Sequence, residues 1–401
     1  MRLYSESERL KDVQEALHSS GLSFVCNKKQ ELTRLVYEVS KINNKRPRAL
    51  VEEAISHSGL RDSGQAFSLL KDYFLRRRFP LTYKDGRRSV FYLPKISFPD
   101  SSRAIKKDRF IFYPQKIFVE NQASGYSLTK SIIKKFPQAQ VIRMGSLKSF
   151  IKSPLSKKHA GSYNERAQSV FLVKESYDFV KACPCSKGVL GCGYYILNLG
   201  FGCPYECSYC FLQGYANVNS LILTVNIEDY IKNLEFFIRR HKKTLRVGTG
   251  EFTDSLALDE ATGFSRVLID FFSGTDKAIL ELKTKSNNIK NLLGLKHNRR
   301  TVISWSLNPH SIIESDEWQT SSLQERLDAA RACCQEGYHV GFHFDPIVYS
   351  AGWQNQYREL VDMLFKKIRP GDLAWISLGT FRFAPKLKTV IEQRFPESKI
   401  L

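Results

Sequence analysis

The stretch from Gly200 to Gln213 reads Gly-Phe-Gly-Cys-Pro-Tyr-Glu-Cys-Ser-Tyr-Cys-Phe-Leu-Gln and sets thiols at Cys203, Cys207 and Cys210, a C-x3-C-x2-C spacing. A short loop with that spacing can fold back and aim all three sulfurs at a single centre. An iron–sulfur cubane has four irons and is ordinarily held by four thiolates, so a three-cysteine loop leaves one iron open to a small molecule. The competing reading is a structural zinc knuckle. Zinc asks for four tetrahedral ligands, and the fourth would then come from Cys183, Cys185 or Cys192.

Other groups able to do chemistry recur downstream, each just past an apolar run. Gly248-Thr249-Gly250-Glu251 offers glycines that let a ligand approach the backbone closely. Lys283-Thr284-Lys285-Ser286 follows the next run. In Ser304-Trp305-Ser306-Leu307-Asn308 the alternation of a strand sends Ser304, Ser306 and Asn308 to one face, where hydroxyls and an amide can hydrogen-bond a ribose or a carboxylate. Ser304 and Asn308 could equally be ordinary strand and turn residues. His343 and Asp345 share a face of the run Gly341 to Ile347, and a carboxylate buried there needs a cation or a donor. A substrate contact and a satisfied core histidine are both open for His343.

These groups need a scaffold that brings successive strand ends to one rim. From Tyr195 the sequence alternates strand-like runs (Tyr195–Leu199, Leu245–Gly248, Ala278–Thr284, Thr301–Leu307, His339–Phe344, Leu373–Leu378) with helix-like runs (Glu228–Arg240, Gly263–Phe272, Ile289–Leu295, Leu323–Glu336, Tyr357–Ile368, Lys386–Arg394). The clearest helix carries Leu323, Leu327, Ala330 and Cys334 in one stripe and has Gly337 at its C-terminal end. Strand–helix repeats with short connections predict an α/β fold with a parallel sheet. Right-handed crossovers curl it towards a partial (β/α)6 TIM-like barrel, with ligands at the strand C-terminal ends.

Upstream, Lys116–Val119 and Ala139–Ile142 read as strands around a helix at Leu128–Phe136, and Lys148–Arg166 as a basic loop. Residues 1–100 read as mainly helical, with an apolar face at Leu32, Leu35, Val36 and Val39 and further helices at Ala49–Ser56 and Gln65–Leu75. Arg76, Arg77 and Arg78 follow, Phe79-Pro80 stops the helix, and a hairpin turn is expected from Tyr83 to Arg88, an order that would suit a winged-helix-like module. Pro99 to Ser102 reads as a linker. The expected organisation is a helical, basic N-terminal domain over 1–100, a basic α/β accessory region over 101–192 and the barrel over 193–401.

The 401 residues carry a net charge of +21, unevenly placed. Residues 1–200 hold 36 basic against 17 acidic side chains, a balance of +19, and the remainder hold 25 against 23, a balance of +2. Between Ser101 and Ala160 there are 13 basic residues and only Asp108 and Glu120 against them. Such a surface attracts phosphate backbones, so nucleic acid is the expected partner, through the basic first half. No run reaches the roughly eighteen apolar residues of a membrane span, and Met1 to Leu10 lacks an apolar signal core, which predicts a cytoplasmic protein with free thiols and no membrane partner.

The cysteine spacing followed by Phe211 resembles the signature of the radical S-adenosylmethionine (radical SAM) superfamily. Over roughly residue 110 to the C-terminus the sequence resembles one member group, the spore photoproduct lyase family. The stretches that carry the likeness are Gly193 to Asn198, Cys203 to Gln213, Gly248 to Asp259, Thr284-Lys285, Ser306-Leu307-Asn308, Gly341 to Trp353 and Val390 to Pro396. The resemblance implies a partial barrel of the radical SAM type, a 4Fe–4S cluster with SAM on its open iron, an electron donor such as a reductase, and a 5′-deoxyadenosyl radical that abstracts hydrogen. It implies that the backbone at Gly248 and Gly250 meets the SAM amino group and that Thr253, Lys285 and Ser306 contact the cofactor. The family's defining activity is reversal of a thymine-dimer lesion in spore DNA.

Three departures matter. Where the lyase returns a hydrogen atom from a cysteine, the alignment puts Glu251, and where a tyrosine follows the last cluster cysteine this sequence has Phe211. The lyase also continues past the Glu-Gln-Arg-Phe-Pro helix into a hairpin, whereas this sequence ends at Leu401.

The site expected is therefore Cys203, Cys207 and Cys210 for the cluster, with Gly248, Gly250, Thr253, Lys285, Ser306 and Asn308 for SAM. Glu251, His343 and Asp345 are expected to serve the substrate chemistry. The function expected is radical abstraction of hydrogen from a nucleic acid, in repair or modification. The alternatives are the same chemistry on a small molecule or peptide, and a non-catalytic nucleic-acid-binding protein with zinc in the cysteine loop.

Overall fold

Four helices bury their apolar faces against one another among the described residues of the first unit, Met1–Tyr92. They are α1 (Glu6–Ser19), α2 (Cys26–Asn43), α3 (Pro47–Ser58) and α4 (Ser63–Arg78). Leu32, Leu35, Val36 and Val39 of α2 form one core with Val13 and Leu17, Leu50 and Val51, and Leu70 and Phe74. The sequence reading missed α1, whose apolar stripe is thinned by Glu6, Glu8, Arg9, Lys11, Asp12 and Glu15. The arginines ending α4 pair within the bundle: Arg77 with Glu53 at 2.7 Å, Arg78 with Glu38 at 2.6 Å and Arg76 with Asp72 at 2.8 Å. The computed structural model describes residues 6–24, 26–58, 63–78, 110–154, 163–183, 193–214, 218–383, 385–398 and 400–401, so the hairpin and linker expected between Tyr83 and Ser102 lie outside the described residues.

The second unit, Leu93–Leu401, is α/β. Its strands are β1 (Lys116–Glu120), β2 (Gln140–Met144), β3 (Ser169–Val173), β4 (Val180–Ala182), β5 (Tyr194–Leu197), β6 (Gly200–Phe201) and β7 (Glu206–Cys207). There follow β8 (Leu221–Thr224), β9 (Leu245–Gly248), β10 (Ala278–Thr284), β11 (Thr301–Ser306), β12 (Glu317–Trp318), β13 (His339–Ile347) and β14 (Leu373–Thr380). The helices are α5 (Ser127–Lys135), α6 (Leu147–Lys152), α7 (Ile227–Arg240), α8 (Asp259–Thr262), α9 (Phe264–Ser273), α10 (His310–Asp316), α11 (Leu323–Gln335), α12 (Trp353–Lys367) and α13 (Pro385–Arg394).

The main sheet has the order β14-β13-β11-β10-β9-β5-β4. Its strands pair in parallel except the short β4, which is antiparallel to β5. From β5 to β14 the neighbours follow chain order, which is the winding of a β/α barrel. With β4 and β14 as its two edges among the described residues, the barrel is partial and open. The six strands foreseen from alternation are these six parallel strands. Of the helices, Ile289–Leu295 is reduced to one 3-10 turn at Lys290–Leu292: Leu293 is already extended at φ −73° and ψ 140°, and Gly294 after it takes a left-handed φ of 71°. In α11 the capping box of Ser322 and Glu325 fixes the start, and the buried stripe runs through Cys333 in place of Cys334.

A second sheet, β2-β1-β3-β8-β6, joins the segment before residue 193 to the chain that follows it, since β3 pairs with β8 in parallel and β8 with β6 antiparallel. The chain thus leaves the main sheet after β5 and crosses to this one before entering the cysteine loop. The basic loop expected over Lys148–Arg166 contains part of α6 and a 3-10 helix at Tyr163–Gln168. Among the described residues no helix is long and apolar enough to cross a membrane.

Candidate active site

Glu206, one residue before the middle cysteine, is the charged centre about which the cysteine loop is built. It is almost completely buried. Its carboxylate accepts Nη1 of Arg166 on one oxygen and Nη2 of Arg394 at 2.7 Å on the other, and both arginines are buried too. Arg166 continues into the loop backbone, donating to the carbonyls of Cys203 at 2.9 Å and Tyr205 at 2.6 Å. Arg394 also donates to Gln213, whose amide nitrogen in turn donates to the carbonyls of Cys207, Ser208 and Cys210 at 3.2, 2.9 and 3.1 Å. The loop is closed against the barrel by β7 pairing with β12, and by Ser208 N and Oγ donating to the Asp316 carbonyl and carboxylate at 2.9 and 2.5 Å.

Cys203, Cys207 and Cys210 line one cavity of about 300 Å³. Of the other residues singled out from the sequence, Gly250, Glu251, Thr253, Lys285, Ser306 and Asp345 line the same cavity. Gly248, Asn308 and His343 do not. Gly248 is required for packing: a Cβ there would stand 2.0 Å from the Tyr194 hydroxyl oxygen, whereas at Gly250 it would press on Lys283 Cβ at 2.7 Å. Asn308 spends its amide inside the protein, donating to Glu317 at 2.8 Å and accepting from the Tyr357 hydroxyl at 2.7 Å. Glu317 also takes the Tyr209 hydroxyl and pairs with the buried Arg326 at 2.6 Å. His343 sits below the cavity with Glu281, its Nε2 2.7 Å from Oε1. Ser304 Oγ donates to the same oxygen at 2.7 Å, and Arg246 grips the other at 2.6 Å.

Residues that the sequence reading missed do much of the positioning. Asp254 accepts the backbone N–H groups of Leu256 and Ala257 and the Thr284 hydroxyl on one oxygen, and the Lys285 N–H at 2.7 Å on the other, tying the loop after β9 to the end of β10. Lys283 and Arg382 also line the cavity, with Lys283 Nζ 4.0 Å from Glu251. One signal was legible: Glu206 is a lone charge in a loop of cysteine, proline and tyrosine, and a charge that is buried must be paired.

Burial pushes all three thiols of the loop upward, so a metal loading there would have to displace protons. Among the described residues no group of three or more His, Cys, Asp or Glu side chains is arranged to hold a single metal ion. Three thiolates of a cubane each bind a different iron and need only line one hollow, which they do. Cys185 and Cys192, possible further ligands with Cys183, lie outside the described residues.

The family model described as spore photoproduct lyase matches residues 112–401. The chain belongs to the spore photoproduct lyase family. It is accordingly a radical SAM enzyme. The spore photoproduct lyase of a Geobacillus species is 29% identical over 72% of this chain and 84% of its own length. That of Bacillus subtilis is 28% identical with the same coverage. Among solved structures, spore photoproduct lyase complexed with dinucleoside spore photoproduct superposes with a TM-score of 0.63 at 26% identity, covering 72% of this chain and 84% of that one. A double mutant of the lyase with bound AdoMet and dinucleoside spore photoproduct gives 0.61 at 26% identity and the same coverage. The spore photoproduct lyase likeness thus spans the second unit from just before β1 onwards.

Proposed function

We propose that the chain holds a 4Fe–4S cluster on Cys203, Cys207 and Cys210, binds SAM in the adjoining cavity and abstracts a hydrogen atom from a nucleic-acid substrate. When bound and reduced by an electron donor, the pair supplies a 5′-deoxyadenosyl radical as the abstracting species. The observation that carries this reading is the meeting of the three cysteines with Thr253, Lys285 and Ser306 in one cavity.

Burial works against the Lys285 ammonium, but Glu317, then the Cys207 sulfur and Asp254, outweigh it and raise its pKa, so a cation is offered to the cofactor carboxylate. Ser306 offers a hydroxyl for the ribose or the carboxylate. Gly250 leaves room for backbone contact with the cofactor amino group. Glu251 and Asp345 are assigned to the substrate side, where Lys283 and Arg382 balance their charge. His343 is assigned a positioning role, through Glu281, beneath the cavity.

Solved relatives carry dinucleoside spore photoproduct, and the positive balance of this chain falls in its first half, so a nucleic acid is the substrate class supported. Among the described residues that line the cavity, the thiols are the three cluster cysteines, with Glu251 and Phe211 at the positions of the lyase's hydrogen-returning residues. The reaction is expected to share the lyase's first step and to differ in its last.

The test is anaerobic reconstitution, then dithionite and SAM with dinucleoside spore photoproduct, thymine-dimer DNA and undamaged DNA and RNA in parallel. Formation of 5′-deoxyadenosine with a mass change in a nucleic acid is the expected result. Iron- and sulfide-loaded protein that yields no 5′-deoxyadenosine ends the reading. Deoxyadenosine with every nucleic acid unchanged transfers the chemistry to a small molecule or peptide.

A further inference from the structure

Beside the cysteine cavity lies a larger one of about 570 Å³. Its walls come from separate parts of the second unit: Phe110 and Phe112 ahead of β1, Phe136 after α5, Asn288 and Lys290 after β10, and Tyr205 from the cysteine loop. It opens beyond the C-terminal ends of β9 and β10, the side on which β/α barrels bind ligands, and its size suits a small organic group.

The lining combines aromatic, aliphatic, polar and charged groups. Four of the lining residues are aromatic, with Phe112 and Phe136 edge to face at 5.2 Å between centroids and Phe110 and Tyr205 at 6.1 Å. Asn288, also in the lining, is held by its amide nitrogen, which donates to the Leu256 carbonyl at 3.0 Å. Its side-chain oxygen takes no hydrogen bond among the described residues. Lys290 is exposed at the rim and pairs with no carboxylate among the described residues. Lys135 stands opposite and donates to the Glu260 carbonyl at 2.6 Å, while the Glu260 carboxylate is the one acidic group in the lining. Two ammonium groups against one carboxylate leave the rim positive.

An unstacked nucleotide needs these three things: a ring to stack on, an oriented polar group for the base edge, and a cation for the phosphate. A peptide lacking acidic side chains would use the rings and leave Lys290 without a counter-charge. Tyr205 lines both this cavity and the cysteine cavity, so a strand whose reacting unit enters one would pass a neighbouring unit to the other.

We propose that this second cavity binds one unstacked nucleotide of the substrate strand, stacked on the Phe110, Phe112 and Phe136 cluster with its phosphate at Lys290. The inference rests on the nucleic-acid reading above and specifies how that substrate is gripped.

Binding of a fluorescein-labelled short oligothymidylate to the reconstituted holoenzyme, followed by anisotropy over a range of salt, tests it. Phe112→Ala should bind about tenfold more weakly with the wild-type salt slope, because it removes stacking and no charge. Lys290→Gln should reduce the salt slope by about one. Lys290 is exposed, so its variant decides the matter even where Phe112→Ala fails to fold. Neither variant should change 5′-deoxyadenosine formation in the absence of nucleic acid. Wild-type protein that binds the oligonucleotide while both variants match it in affinity and slope overturns the inference and leaves the nucleic-acid reading standing. Wild-type protein that binds no oligonucleotide overturns both. A labelled aromatic peptide whose binding both variants lose, with the oligonucleotide unaffected, overturns the nucleotide assignment in favour of a peptide groove.

Discussion

Glu206 and Arg394 are 188 residues apart in the chain and 2.7 Å apart in the fold, carboxylate oxygen to guanidinium nitrogen, with both side chains buried. The pair fastens α13 to the cysteine loop, and Gln213 extends the grip to three loop carbonyls. The last helix of the barrel unit is thus part of the cysteine site although it contributes no residue to the cavity lining.

Removal of the Glu206 carboxylate would leave two buried guanidinium groups without a counter-charge. Uncompensated charge of this kind costs about 3–5 kcal/mol, so Glu206→Ala should lower Tm sharply and release iron from the reconstituted protein. Arg394→Ala should do less, since Arg166 still holds Glu206. Thermal unfolding by circular dichroism, with iron counted per chain, checks this; a Glu206→Ala protein with unchanged Tm and full iron would refute it.

Cys207 and Cys333 are both buried, but only Cys207 faces the cavity, while Cys333 belongs to the buried face of α11. Cys207→Ala should abolish the visible iron–sulfur absorbance and 5′-deoxyadenosine formation. Cys333→Ala should keep both and lose only packing stability, since it deletes one buried sulfur. Equal loss of iron in the two variants would contradict the assignment of the loop.

The barrel could be read from the sequence because its strands are nearly continuous apolar runs and its helices carry a clear 3.6-residue stripe, as in Leu323, Leu327 and Ala330. The cysteines could be read because their spacing is local. Asn308 and His343 share strand faces with cavity residues, and alternation alone cannot tell how far along the strand the cavity reaches. Their amide and ring are taken up by Glu317, Tyr357 and Glu281, contacts between elements far apart in the chain. Arg166 and Arg394 were illegible for the same reason: no local pattern says that two arginines 228 residues apart in numbering meet on one glutamate.

Acid should destabilise the fold at two buried carboxylates. Burial opposes ionisation of Glu281 and Glu317, but His343 and Arg246 for the first, and Arg326 and Lys285 for the second, overcome it and hold both at about 2, down from 4.5. A carboxylate depressed in the folded state contributes stability that is complete above its unfolded value and is lost as pH falls towards the folded one. Stability should therefore hold down to pH 4.5 and decline from there towards about 2. Arg326→Met removes the main partner of Glu317, so the gap between variant and wild type should be wide at neutral pH and narrow through this window. Urea unfolding at stepped pH measures it, and a gap independent of pH would contradict the coupling.

Lys285 and Asn308 offer the sharpest separation of the proposed cofactor contact from internal support. Lys285 lines the cavity with the three cysteines, and its ammonium stands 5.5 Å from the Tyr209 ring centroid. Asn308 is buried in the layer behind, between Glu317 and Tyr357. A hydrogen bond to a charged group contributes about 1.5–3 kcal/mol, so Lys285→Gln should weaken SAM binding by at least about tenfold. Its effect on Tm should be the smaller one, because Arg326 still neutralises Glu317. Asn308→Ala strips a donor from Glu317 and an acceptor from Tyr357 and should lower Tm while leaving SAM affinity close to wild type. Equilibrium dialysis of SAM against the reconstituted proteins, with Tm taken on the same samples, gives both readings. If Asn308→Ala lost SAM binding while keeping its Tm, the amide would belong to the cofactor site after all, and the cavity would have to open past Ser306 in the loaded enzyme.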